Sequence, residues 1–327
     1  MTNILITGAG GYIGSILVPH LLALGYDVTA LDQFYFGRDR LPAHDKLTIV
    51  QQDTRDITPE QLEQVDAIVD MAAISNDPSG ELFQDTTWAV NYKGRARLAQ
   101  MARDKGISRY LLMSSCSVYG FQDMGEAVDE TGALNPLTTY ARANVAAERD
   151  ITALQDAGDF TPVILRLATV FGLSPRMRFD LAINGMTYGA WANRELPLMR
   201  DGTQWRPMIH VKDVARVIAH MLTAPARAVH KQIFNIGDEK NLYQIGPLGK
   251  RVAAAVGDDV TTRWYGDPDH RSYIVDFGKI ATLGFHAGYV AEDGVAEIVE
   301  ALETGKVDKT TDTITLEWYK QNAFFAA

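Results

Sequence analysis

Asn3-Ile4-Leu5-Ile6-Thr7-Gly8-Ala9-Gly10-Gly11-Tyr12-Ile13-Gly14 is the stretch whose reading decides the fold. Ile4 to Ile6 is an apolar run of the kind buried in a parallel strand, and Tyr12 to Leu24 carries the apolar spacing of a helix. Between them, Gly8-x-x-Gly11-x-x-Gly14 is a spacing that suits a dinucleotide pyrophosphate. Gly8 permits the tight turn, Gly11 lets the backbone approach the phosphates, and Gly14 lets helix and strand pack closely. The free N–H groups at the helix start then face the anion, with Tyr12 and Ile13 in the same contact. A second apolar strand, Asp27 to Leu31, runs into Asp32, an acid placed to accept hydrogen bonds from the adenosine ribose hydroxyls. An acid there repels a 2′-phosphate, so the expected cofactor is NAD and not NADP, with Arg38 and Arg40 as the residues that would change this if the loop folded back.

Outward from that unit the chain alternates. Leu47 to Val50, Ala67 to Met71, Tyr110 to Met113 and Pro162 to Leu167 read as strands, and Thr86 to Lys105 and Tyr140 to Ala157 as long helices. Thr58-Pro59 reads as an N-cap followed by proline at the first helical position. This rhythm predicts an α/β fold, a doubly wound parallel (Rossmann) sheet with right-handed crossovers. After the third strand, Asp53 is placed to reach an adenine amino group or to act as an ordinary N-cap or turn residue, with Thr54 beside it. Ala72 and Ala73 are small enough for a cofactor to lie across the strand ends, and Asn91 is a further cofactor candidate. From Phe171 the alternation breaks, which predicts a smaller C-terminal α/β substrate domain. The expected division is a cofactor domain over 1–170 with 206–237 returning to it, and a substrate domain over 171–205 and 238–327.

Composition bounds the function. The 327 residues carry a net charge of −10, which disfavours a nucleic-acid partner. No apolar run is long enough to span a bilayer, and the first residues lack a signal-peptide layout. A single cysteine, Cys116, excludes an internal disulfide or a multi-cysteine metal site. These features predict a cytoplasmic location with neither membrane partner nor metal.

Polar groups after the fifth strand, Ser114-Ser115-Cys116-Ser117-Val118-Tyr119-Gly120, fall where a parallel sheet opens its ligand crevice. Downstream lie Thr138-Thr139-Tyr140-Ala141-Arg142-Ala143-Asn144, with Glu148 beyond, then Leu165-Arg166 before Val170-Phe171-Gly172, and Arg206-Pro207-Met208-Ile209-His210-Val211-Lys212-Asp213. With the glycine loop, these motifs in this order make the chain resemble the extended short-chain dehydrogenase/reductases, especially the nucleotide-sugar epimerases and dehydratases, over nearly its whole length. The resemblance implies that Ser115 hydrogen-bonds the reacting sugar oxygen and that Tyr140 moves the proton while a nicotinamide exchanges a hydride. It also implies a nucleotide-diphosphate sugar as substrate, with Arg206 and Arg271 clamping its pyrophosphate, and a homodimer paired through the two long helices.

Three departures from that pattern bear on the chemistry. Asn144 stands where these relatives carry a lysine. An amide can hydrogen-bond a ribose but brings no charge to favour tyrosinate, whose parent phenol ionises near ~10. Lys93 is the substitute cation that sequence position suggests. Cys116 and Ser117 occupy the positions of the Asp-Glu pair of the 4,6-dehydratases, so ordinary 4,6-dehydration is disfavoured. Thr169 replaces an asparagine that touches substrate phosphate in many relatives. Ser75, Ser115, Cys116, Ser117, Thr169, Arg176, Arg206 and Arg271 form the expected substrate set, although a lone cysteine is more often packing. The expected activity is an NAD-dependent epimerase or oxidoreductase working through a keto sugar. A reductase of a non-nucleotide carbonyl and an NAD-binding sensor with little turnover are the alternatives.

Overall fold

In the computed structural model, residues 3–122, 127–267 and 272–322 are described. Seven strands lie side by side and parallel: β1 (Asn3–Thr7), β2 (Asp27–Asp32), β3 (Leu47–Gln51), β4 (Ala67–Asp70), β5 (Arg109–Ser115), β6 (Thr161–Leu167) and, later in the chain, Gln232–Ile236. Their spatial order is Gln232–Ile236, β6, β5, β4, β1, β2, β3, with the order reversing at β1 and β4. Ligand crevices open at such a reversal, beyond the carboxyl ends of the strands. Register places Thr7 opposite both Leu31 and Asp70, and Ser115 opposite Leu167, so these strand ends share one edge of the sheet.

Both faces of the sheet are covered, which explains its near-continuous apolar strands. Ile4, Ile6, Val69, Leu111 and Leu165 face α1 (Gly14–Ala23) and the later helix Val211–Thr223, through Leu17, Leu21, Val214 and Ile218. Their strand neighbours Leu5, Ile68, Leu112 and Ile164 face the opposite layer, formed by α2 (Arg95–Asp104) and α3 (Thr139–Thr152) through Leu98, Ala102, Ala147 and Ile151. The two-residue alternation of a strand thus sorts one apolar run into two cores.

The helix expected over Thr86–Lys105 is present from Gln84 to Asp104, but it is not α-helical throughout. It runs as Gln84–Trp88, passes through a π turn at Ala89–Gly94, and resumes as α2. Inside that turn the buried Asn91 accepts from Ile74 N and donates to Ile74 O, at 2.9 and 3.0 Å, and so fastens the turn to the loop after β4. The tyrosine helix ends at Thr152, short of the expected Ala157, where the Thr152 hydroxyl donates back to the Glu148 carbonyl at 2.7 Å.

Two smaller sheets and further helices follow. The segment Thr169–Phe171 is β7, and α4 (Ala182–Asn193) leads to β8 (Glu195–Met199). β9 (Trp205–His210) pairs with β7, in a three-stranded sheet of its own with β11 (Leu242–Gln244), and Gln232–Ile236, hereafter β10, joins the main sheet beside β6. β12 (Thr261–Tyr265) pairs with β8. Ile183, Leu196, Leu198, Leu248 and Val295 belong to a further apolar cluster. The last described helix, Thr315–Asn322, returns across the crevice.

Candidate active site

One cavity of about 630 Å³ follows the carboxyl edge of the sheet, from the glycine loop past Tyr140 to Arg206. At its first end, Gly8 sits at φ +73°, and a Cβ there would lie 2.9 Å from the Ala72 backbone nitrogen. A Cβ on Gly14 would run into the Ala9 carbonyl. The loop is therefore a cradle that only glycine leaves open, as a pyrophosphate seat requires. Gly8, Gly11, Tyr12, Ile13 and Gly14 line it, as do Asp53, Thr54, Ala72 and Ala73. Asn91, by contrast, is spent on Ile74.

Asp32 accepts from Gly10 N at 3.0 Å and from Phe34 N at 2.7 Å, so the loop and the acid position one another. Burial raises the pKa of its carboxyl, against the pull of those two amides and of Arg176. Arg38 is exposed, and Arg40 is held by Asp312 at 2.5 Å. Asp53 caps the turn Thr54–Asp56 by accepting from Arg55 N at 2.8 Å, while its other oxygen takes Gln33 Nε2 at 3.0 Å.

Tyr140 opens α3, capped by the Thr138 hydroxyl, which accepts from Ala141 N at 3.1 Å. Burial raises the phenol's pKa above the ordinary tyrosine value; the charge of Arg95 works against this, Asp77 adds to it, and Ser115 and Asn144 favour the ionised form. Ser115 ends β5 and caps the next turn, accepting from Ser117 N at 3.1 Å. Ser115, Ser117 and Tyr140 all line the cavity. Cys116 points the other way: it is buried, its Sγ reaches the Arg166 carbonyl at 3.2 Å, and burial pushes its thiol well above the ordinary range. Lys93, the substitute cation that sequence position suggests, is exposed. The buried cation near Tyr140 is Arg95, whose Nη1 donates to Asn144 Oδ1 at 2.8 Å.

Farther along, Thr169 and Arg206 line the cavity, and the Arg206 guanidinium lies 5.4 Å from the Tyr273 ring centroid. Arg271 lies outside the described residues. Arg176 is buried on the Asp32 side, with its guanidinium 3.7 Å from the Phe36 ring centroid and Nη2 donating to Thr315 Oγ1 at 2.9 Å. Arg178 forks onto Asp180, Nη2 to Oδ2 at 2.8 Å, and donates to the Ser75 carbonyl at 3.2 Å.

Several lining residues escaped the sequence reading. Asn76, Asp77 and Asp180 line the cavity. Ile314, Leu316 and Tyr319 come from the chain's last turns, and Trp318 stacks on Tyr35 with ring centroids 5.4 Å apart. No local pattern announces that return. Arg95 did carry a signal: it lies four residues after Asn91, one helical turn along, whereas Lys93 lies across the helix. Among the described residues, no group of three His, Cys, Asp or Glu is arranged to hold a metal, and no helix is long and apolar enough to cross a membrane.

The chain and its fold are similar to those of known proteins. The chain is 26% identical over 309 residues to the low-salt glycan biosynthesis protein Agl12 of Haloferax volcanii, covering 91% of this chain and 97% of that protein. It is 26% identical over 285 residues to a UDP-glucose 4-epimerase of Corynebacterium glutamicum, covering 81% and 85%. Its fold superposes on MoeE5, solved in complex with UDP-glucuronic acid and NAD, with a TM-score of 0.81, 26% identity and coverage of 93% and 99%. Residues 4–237 match the NAD dependent epimerase/dehydratase family, and with the glycine cradle, Asp32, Ser115 and Tyr140 on one sheet edge, the chain belongs to that family.

Proposed function

We propose that this protein is an NAD-dependent enzyme that acts on a nucleotide-diphosphate sugar through a transient keto sugar, as an epimerase or a net oxidoreductase. The observation that carries the reading is the single cavity that joins the glycine cradle to Ser115 and Tyr140 and continues to Arg206. When bound, NAD supplies the hydride acceptor and donor. Gly8, Gly11 and Gly14 with the α1 N-terminus seat its pyrophosphate, and Asp32 takes the ribose hydroxyls. Ser115 orients the reacting sugar hydroxyl, and Tyr140 accepts its proton on oxidation and returns one on reduction. Arg206 pairs with sugar-nucleotide phosphate, with Arg271 as its proposed partner. Cys116 is turned into the core and Ser117 is a hydroxyl, so the carboxylic acid and carboxylate of a 4,6-elimination are missing from these positions.

We assign the stretch 1–170 with 206–237 to cofactor binding and the remainder to substrate choice, and a homodimer paired through the helix pair α2 and α3. Tyr92, beside α2, donates to Asp150 of α3 at 2.6 Å, which braces the two helices into one face. Light scattering at a dimer mass supports the assembly, and a monomer mass at micromolar concentration refutes it.

The test of function is to load the protein with NAD and incubate it with UDP- and dTDP-sugars in turn. NMR reads epimer formation, and absorbance of reduced nicotinamide reads net oxidation. Conversion of at least one nucleotide sugar, abolished in Tyr140→Phe, is expected. Full NAD loading with turnover only on carbonyl compounds that lack a nucleotide would overturn the substrate assignment.

A further inference from the structure

Three arginines buried against the main sheet differ in their partners. Arg166 is paired with Glu148 at 2.7 Å. Arg109 donates to the Ala224 carbonyl at 2.6 Å, away from the cavity. Arg95 has no carboxylate within ion-pair distance among the described residues; its Nη1 meets the neutral Asn144, and its Nε is buried without a hydrogen-bond partner. A buried cation without an anion is costly, so its retention asks what the charge does. Asn144 answers structurally, because its own Nδ2 donates to the Tyr140 backbone carbonyl at 3.1 Å. The amide is thus held between the guanidinium and the first turn of the tyrosine helix.

We propose that Arg95 is the fixed positive charge of this active site, held in place by Asn144, and that it favours the ionised phenol of Tyr140 in the proton transfer. Arg95 touches neither cofactor nor substrate in this account; it is a positioning and electrostatic residue acting on Tyr140. The proposal rests on the reading of Tyr140 as the proton-transfer group. Of the other groups that act on this phenol, Asp77 comes from the helix Asp77–Leu82, Ser115 from the β5 end and Asn144 from α3 itself; on the elements packed against α3, Glu81 accepts from Thr139 N and Tyr110 donates to Asp70. Asp77 opposes ionisation, and Arg95 is the cation among them that favours it. The π turn before α2 belongs to the same device. It ties Asn91 to Ile74, leaves Lys93 in solvent and turns Arg95 inward.

By the same account Asn144→Lys alone should not lower the midpoint of Tyr140 ionisation. Its ammonium would meet the Arg95 guanidinium in the space that Asn144 Oδ1 now occupies. Exchanging the two roles should succeed, with an amide at 95 and a cation at 144.

The experiment measures ionisation and turnover separately. In NAD-loaded protein labelled with 3-fluorotyrosine, the ¹⁹F signal of position 140, assigned by its loss in Tyr140→Phe, is titrated with pH. Arg95→Gln should raise the midpoint by about one to three pH units. Arg95→Lys should hold it near the parent value, and Arg95→Gln/Asn144→Lys should bring it back. The rising limb of the pH–turnover profile should move in step. A folded Arg95→Gln protein with an unmoved midpoint overturns the proposal. If Arg95→Gln does not fold, the double variant decides, since a folded double variant with a raised midpoint also overturns it. If Tyr140→Phe keeps near-normal turnover, the catalytic role of Tyr140 fails, while the fluorine titration still decides whether Arg95 controls its ionisation.

Discussion

Arg166 and Glu148 form an ion pair inside the protein, Nη2 to Oε2 at 2.7 Å, with side chains 2% and 4% exposed. The carboxylate also accepts from Ser114, and Arg166 Nη1 donates to the Tyr119 hydroxyl at 2.9 Å. One pair thereby joins β5, β6 and the tyrosine helix α3, and it sets where Tyr140 stands relative to Ser115. Removing one partner of such a pair leaves an uncompensated buried charge, at a cost of about 3–5 kcal/mol. Glu148→Ala should lose stability of that order in urea denaturation, and Glu148→Gln should lose less because it keeps the Ser114 contact. Equal stability of Glu148→Ala and the parent would show that the pair is already relaxed by water.

Tyr140→Phe removes only the hydroxyl that faces Ser115. Turnover should fall by about 10²–10⁴, the usual yield of a positioned acid–base group. NAD affinity, measured by calorimetry, should change little, because the cradle at Gly8 to Gly14 is untouched. A comparable loss of cofactor binding would mean that the variant disturbs the cleft and not the proton transfer.

Asp32 should set the preference between NAD and NADP. Its carboxylate is fixed by Gly10 N and Phe34 N, so it cannot swing away from a 2′-phosphate. Titration with both cofactors should favour NAD by at least about tenfold, or about 1.4 kcal/mol. Asp32→Asn should narrow that ratio, chiefly by weakening repulsion of NADP. Tighter NADP binding by the parent protein would reverse the role given to Asp32.

The loop glycines should differ in tolerance. A methyl on Gly14 would run into the Ala9 carbonyl, whereas one on Gly11 would lie 3.1 Å from the Gly8 carbonyl and meet little else of the protein. Gly14→Ala should therefore lower thermal stability by several degrees, a shift that about 1–3 kcal/mol of overpacking would cause. Gly11→Ala should fold nearly as well but bind NAD more weakly, since the added methyl faces the phosphate seat. Differential scanning fluorimetry with and without NAD separates the two effects.

Asp180 gives a pH signature. Burial works against its ionised form, but the Arg178 fork more than offsets this and holds the carboxyl below the usual aspartate value. A carboxyl with a lower pKa in the folded state than in the unfolded state stabilises the fold above the unfolded value, near ~3.9, and that contribution is lost as pH falls through the folded value. Asp180→Asn should be less stable than the parent at neutral pH, and the two stability curves should converge below about pH 4. Parallel curves across the whole acid range would show that the pair makes no pH-dependent contribution.

The glycine loop and Asp32 were legible in the sequence because their geometry is local. A strand, a turn that only glycine can make and a helix start all fall within a few consecutive residues, and the near-continuous apolar runs of the strands already mark a sheet covered on both faces. Ser115 and Tyr140 were legible as members of motifs, although the residues alone did not say that two distant segments share one cavity wall. What only the tertiary structure decided depends on side chains that cross between elements. Gln232–Ile236 joins the main sheet while Trp205–His210 pairs with Thr169–Phe171, a choice that hydrogen-bond partners make and strand propensity does not. The last described helix reaches the loop after Asp32 through Trp318 and Tyr35, residues far apart in the chain. The Arg95–Asn144 contact is of the same kind. An α-helical count from Asn91 points toward Arg95, but the partner lies on another helix, 49 residues away, and only their packing brings the charge to the tyrosine. Local backbone preference is written in neighbouring residues, whereas the placement of a buried charge is set by which faces the two cores press together.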